Sequence, residues 1–213
     1  MLPEPAQLAL FLVSSLALLL LPGPAVFYII ARSVAQGSTA GLVSTLGVGF
    51  GSLIHVLAAA LGISALLASS VEIFSLLRIA GAGYLIYLGF RALMASRPAD
   101  EPVQIARKRM KVIFREGVVV NILNPKTAIF FVAFLPQFAD PSRGSVGMQI
   151  FLLGSLFVLL GITTDGIYAL AAGKLGTRLA DFGRTLKLRN RIAAGIYFVL
   201  GAITLNVEAP KVS

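Results

Sequence analysis

The 213-residue chain has no cysteine, no tryptophan and one histidine, and only nine of its residues are acidic. Without cysteine there is no disulfide, no thiol nucleophile and no thiolate metal site. A lone histidine has no partner with which to build a zinc site, so neither a metal nor any other cofactor is expected. No Walker A string occurs, which excludes ATP as the chain's own energy source. Charge is scarce as well: Asp, Glu, Lys and Arg make up 13% of the residues, against about a quarter in soluble domains. What fills the chain is apolar, with 57% hydrophobic residues and a mean hydropathy of +0.90. This is the composition of a polytopic integral membrane protein. The charge that remains is mostly of one sign, 18 Lys and Arg giving a net +9. It lies between long apolar runs without interleaved aromatics, as basic loops beside a bilayer do, and not as a nucleic-acid surface does.

Crossing about 30 Å of hydrocarbon takes roughly 20 residues in a helix. Six stretches qualify: Ala6–Ala31, Gly41–Leu67, Leu76–Met94, Gly117–Phe138, Gly147–Ala172 and the shorter Ile192–Asn206. Only Glu4 precedes the first as a charge, and its apolar run is too long for a cleaved signal sequence. The string Gly47-Val-Gly49-Phe-Gly51 lies inside an apolar run with no strand before it, so it reads as small-residue helix packing and not as a nucleotide loop. Basic residues collect between spans three and four (Arg97 to Arg115) and after span five (Lys174 to Arg191), while only Arg143 and Lys211 fall on the opposite side. The positive-inside rule then places loops 95–116 and 173–191 in the cytoplasm and both termini outside. Small-residue helix faces also permit a homodimer.

The sequence carries an internal echo. At an offset of 103 residues, Pro22, Ala25 and Phe27 fall on Pro125, Ala128 and Phe130, and Gly51-Ser52-Leu53 falls on Gly154-Ser155-Leu156. After one longer loop, Arg78-Ile79-Ala80 and Tyr84 match Arg191-Ile192-Ala193 and Tyr197. Each unit holds three spans, an odd number, so the second must be inverted relative to the first. The expected architecture is therefore all-α: six transmembrane helices in two inverted three-helix repeats, 1–95 and 117–213, joined by a basic loop over 96–116. Arg78 reads as a snorkelling rim residue.

Spans one and four are interrupted at matched positions, by Pro22-Gly23-Pro24 and by Asn124-Pro125-Lys126. Proline lacks an N–H and clashes with the carbonyl four residues back, so each break frees backbone groups. In hydrocarbon those groups must find protein, water or ligand. A packing bend explains one break, whereas corresponding breaks in two repeats point to a substrate site. The carbonyls near Leu18 and Leu20 are the ones the prolines should free. Lys126 stands at the start of a half-helix, where positive charge calls for an anion nearby: a substrate carboxylate, or Asp165, the acidic residue well inside span five. A mutually neutralising structural pair is the plainer alternative. Asn121 and Asn124 offer amides that orient a zwitterion or satisfy the broken backbone. His55 titrates in the range of a proton relay, or simply bonds a neighbouring helix while neutral. Ser52 and His55 share a helix face, but no oxyanion motif or third group accompanies them, so an enzyme is not expected. Tyr84 and Tyr87 either line the cavity or pack.

The strings Leu21-Pro22-Gly23-Pro24-Ala25, Gly-Tyr-Leu-Ile-Tyr-Leu-Gly at 83–89 and Asn-Ile-Leu-Asn-Pro-Lys at 121–126 resemble those of the LysE/RhtB amino-acid exporters. The likeness extends to length, span count and the basic loop after span three. It implies a secondary transporter of the bacterial inner membrane that exports amino acids on the proton-motive force, with Pro22, Gly23, Pro24, Asn124, Pro125 and Lys126 as signature positions. On that reading the half-helix terminus and Lys126 hold the carboxylate. The freed carbonyls hold the ammonium, with Asp165 as helper or proton carrier. A passive channel, or a translocator of another small solute, is the alternative.

Overall fold

Proline at the first helical position costs no hydrogen bond and presets the helical φ. Among the described residues three α-helices begin that way: α1 (Pro5–Leu20), α2 (Pro24–Gln36) and α5 (Pro125–Ile129). The others are α3 (Ser38–Ser69), α4 (Met110–Ile122) and α6 (Val146–Leu175). The computed structural model describes residues 3–69 and 107–175 continuously, plus isolated positions between 76 and 94 and at 198, 199 and 202. Every element among the described residues is helical. Expected spans three and six, with Arg78, Tyr84, residues 95–106 and the 176–191 part of the last basic loop, lie outside the described residues or nearly so; Tyr87 is half exposed.

Span one is α1 and α2, bent by 51° at Pro22-Gly23-Pro24. Span four is α4 and the segment Pro125–Phe138, bent by 50° at Asn124. These near-equal bends fall where the 103-residue offset pairs Pro22 with Pro125. The helices α3 and α6 are each long and apolar enough to cross a membrane unbroken. Span four starts at Met110, ahead of the expected Gly117, so Lys111, Arg115 and Glu116 are helical. Beyond α5 the chain passes through a π-helical turn, Phe130–Phe134, and a 3-10 turn, Leu135–Phe138.

Helix α3 lies at the centre, against α2, α4 and α6. Glycine sets how closely it approaches α4. A Cβ on Gly47 would lie 2.3 Å from the Phe114 carbonyl oxygen, and one on Gly51 would lie 2.8 Å from that of Val118. Gly117 returns the contact, its Cβ position 2.9 Å from the Ser44 carbonyl oxygen. The Gly47/Gly51 spacing thus works as helix packing. Leu57, Leu61, Leu159 and Ile167 turn outward, while Ser15, Ser44, Thr45, Asn121, Lys126 and Asp165 are buried. Apolar outside and partly polar within is the arrangement a bilayer solvent imposes.

Ion pairs tie the ends of the broken spans. Buried Arg32, near the end of α2, meets Glu116 at 3.0 Å, and Lys108 pairs with the same carboxylate. The Tyr28 hydroxyl joins them, 2.8 Å from the Ile113 carbonyl oxygen and 3.3 Å from Glu116. At the other end of span one, Arg143 pairs with Glu4 and lies 3.4 Å from Asp140. Hydrogen bonds from Ser142 hold the Asp140 carboxyl below its usual range.

Because the Gly47 contact is backbone against backbone, Gly47→Ala forces α3 and α4 apart. It is expected to destabilise the protein by about 1–3 kcal/mol, the range for overpacking. Gly62→Ala, with nothing among the described residues within 4 Å of its Cβ position, should be neutral or slightly stabilising. Thermal unfolding in detergent compares the two.

Candidate functional site

The two breaks meet over a cavity walled by α1, α2, α3, α5 and α6, with Asn121 and Asn124 at the end of α4. Gly23, Asn121, Asn124, Lys126 and Asp165 all line it, as do Ser52 and Thr127. Its remaining wall is apolar: Leu18, Leu19, Val26, Val48, Phe157, Val158 and Ile162. The volume is about 40 Å³, room for roughly three waters. Even glycine has five non-hydrogen atoms, more than this volume holds.

Lys126 is buried and reaches across to the first break, donating from Nζ to the Leu21 carbonyl at 2.6 Å. Gly23 makes this reach possible, because a Cβ there would stand 3.2 Å from Lys126 Cδ. The carbonyls of Leu18 and Leu20, expected to be free, are already engaged. Leu18 accepts from the Leu21 N–H at 3.1 Å, and Leu20 accepts from the Tyr168 hydroxyl at 2.8 Å. The break's outstanding acceptor is therefore Leu21, and the protein's own ammonium occupies it. At the second break, the Asn124 side chain accepts from the Lys126 backbone N–H at 3.1 Å, capping α5 where Pro125 supplies no donor.

Asp165 is buried on α6 and borders the same cavity. Among the described residues it makes no hydrogen bond, and it lies outside ion-pair range of Lys126. The cavity thus separates one buried cation from one buried anion. Burying a charge unpaired is costly, and a ligand carrying both signs would offset that cost at both ends.

Asn121 holds the frame together. Its Nδ2 donates to the Val48 carbonyl at 2.9 Å and to Ser52 Oγ at 2.8 Å, while its Oδ1 accepts from Thr127 Oγ1 at 3.0 Å. The Val48 carbonyl only accepts, which fixes the amide's orientation. Its backbone carbonyl faces His55 Nε2 at 3.2 Å, so that nitrogen carries the proton. His55 also stacks on Phe131, with ring centroids 5.9 Å apart, and is not part of the cavity lining. Ser52 and His55 both turn to Asn121 and, among the described residues, not to each other. Pro22 and Pro24 shape the first break without lining the cavity, and Pro125 does the same at the second. Sequence reasoning missed Thr127, which looks like any helical threonine, and the Arg32–Glu116 pair, whose signal was one acidic residue in a basic stretch.

The family described as LysE type translocator matches the chain over residues 16–208. A leucine efflux protein of Salmonella choleraesuis is 31% identical over 150 residues, 68% of this chain and 69% of that protein. An uncharacterized membrane protein of Pseudomonas aeruginosa is 30% identical over 190 residues, covering 87% of this chain and 85% of its own. One from Vibrio cholerae is 29% identical over 180 residues, 84% of each chain. No solved structure matches. The chain belongs to the LysE type translocators.

Asn121→Ala strands the Val48 carbonyl and Ser52 hydroxyl of α3 and the Thr127 hydroxyl of α5 at once. We expect it to cost about 2–3 kcal/mol, as a buried polar group left without its partner does. The drop in thermal midpoint in detergent, read against Ile122→Ala on the exposed neighbouring position, measures it.

Proposed function

We propose that this LysE type translocator exports neutral aliphatic amino acids, leucine among them, across the bacterial inner membrane in exchange for protons. The observation that carries the reading is the cavity with Lys126 and Asp165 unpaired on its walls and an apolar lining between them. A zwitterion has a carboxylate for Lys126 and an ammonium for Asp165, and a neutral apolar side chain suits the rest of the wall. A basic amino acid would bring a second cation against apolar side chains, which is unfavourable. The name of the Salmonella relative supports the same cargo class.

Proton coupling follows from competition. Asp165 holds the substrate ammonium when ionised and releases it when protonated, so one carboxylate serves the two ligands in turn. His55, bonded to Asn121 beside the cavity, is the other side chain we assign to proton coupling. Alternating access then means that the two broken spans, as inverted repeats, pivot about their breaks. The end of span one carrying Arg32 and Glu116 faces the cytoplasm, and the end carrying Glu4 and Arg143 faces outward, in keeping with the basic loops.

The test is counterflow in proteoliposomes loaded with unlabelled amino acids, with and without an imposed pH gradient. Saturable exchange of labelled leucine, stimulated by the gradient, is the expected result. Absence of exchange for every amino acid by folded protein would refute the cargo, and unsaturable leak would favour a channel. Two variants sharpen the roles. Asp165→Asn should abolish the response to the gradient, whereas Lys126→Ala should depress exchange at every pH by about tenfold or more, the cost of losing a charged hydrogen-bond partner. Normal transport by both variants removes these two residues from the mechanism.

A further inference from the structure

Glycines inside a helix are usually explained by a close neighbour, and most of those here are. A Cβ on Gly154 would come within 2.9 Å of Val56 Cγ2, and one on Gly49 within 2.9 Å of Ile162 Cγ1. Gly161 is different. Among the described residues its Cβ would meet only Leu19 Cδ2, at 3.4 Å, an ordinary van der Waals contact. Helix packing does not need a glycine at this position, and glycine weakens a helix interior relative to alanine. Yet Gly161 lines the cavity.

Its place along α6 supplies the reason. Phe157, Gly161 and Asp165 fall at four-residue spacing, with Val158 three residues before Gly161, so they share one face of the helix. Gly161 stands one turn from Asp165, about 6 Å along the axis. A substrate ammonium held at Asp165 sends its side chain along this face. The four bonds from amino nitrogen to the tip of leucine span roughly 5 Å, which brings the branched methyls over Gly161; the methyl of alanine stops short. In this small cavity the flexible Leu19 side chain covers that spot from α1.

We propose that Gly161, gated by Leu19, sets the length of amino-acid side chain the transporter accepts, the slot between them receiving the end of a leucine-sized aliphatic side chain. This rests on reading the cavity as an amino-acid site.

The test compares counterflow of labelled leucine, valine and alanine by wild type, Gly161→Ala, Gly161→Leu and Leu19→Ala. Gly161→Leu should cut leucine exchange about tenfold or more, on the scale by which an apolar pocket discriminates a methylene, and cut alanine exchange by a smaller factor. Gly161→Ala, whose added Cβ fits the resting structure, should shift the leucine-to-alanine preference in the same direction. It carries the test if the leucine variant does not fold. Leu19→Ala should move the preference toward longer side chains. A uniform loss across all three substrates in folded protein, or no change in their ratio, overturns the assignment while leaving amino-acid export intact. Failure of the wild type to exchange any of them removes the underlying reading, and the slot with it.

Discussion

The bond from the Lys126 ammonium to the Leu21 carbonyl is the contact on which the centre of this protein depends. Both broken spans leave backbone groups without helical partners in a solvent that offers none. The second break is satisfied locally, by Asn124 capping α5. The first is not, because Pro22 and Pro24 lack donors and Gly23 has no side chain. Lys126 supplies the missing donor from the other break, and so the two interruptions stabilise one another. A side chain at 23 would crowd the lysine stem, its Cβ 3.2 Å from Lys126 Cδ, and the break at Asn124-Pro125 is what aims the lysine there.

Around this contact the interior is built from amides and hydroxyls more than from tight apolar packing. Asn121 joins α3, α4 and α5 through its side chain and touches His55 through its carbonyl. The apolar cluster of Phe11, Phe130, Phe131, Phe134 and Phe157 lies to one side of it, with rings stacked, tilted or edge-on at 4.1 to 6.3 Å. The π-helical turn falls within that cluster. Such turns mark places where a helix tolerates a changed register, frequently at functional sites. Here it lies directly beyond the short helix that begins at the second break.

Much of this was legible in the residues. Long apolar runs located α3 and α6, and paired prolines located both bends, because hydropathy and the missing proline N–H are local properties. The small-residue spacing of Gly47 and Gly51 announced a close helix contact, though not which helix would supply it. What could not be read was who satisfies whom. Leu18 and Leu20 looked like free acceptors from their spacing to the prolines, but a tyrosine 148 positions away takes one of them. Asp165 was one of two anions the sequence offered Lys126, yet whether they touch depends on the distance between helices, and the structure keeps them beyond ion-pair range on the walls of one cavity. The helical start at Met110 was hidden by the charges of Lys111, Arg115 and Glu116, since a hydropathy window stops where a helix need not.

The ion pairs at the two ends of span one differ in their contact with the medium. Arg32 keeps 7% of its side-chain surface exposed, and its partner Glu116 31%; for Arg143 and Glu4 the values are 38% and 59%. Mobile ions screen exposed charges over about 8 Å at physiological ionic strength, and buried ones far less. The Arg143 tie therefore loosens as salt rises, while the Arg32 tie holds. The two ends of span one thus differ in how far their ties depend on the ionic strength of the medium.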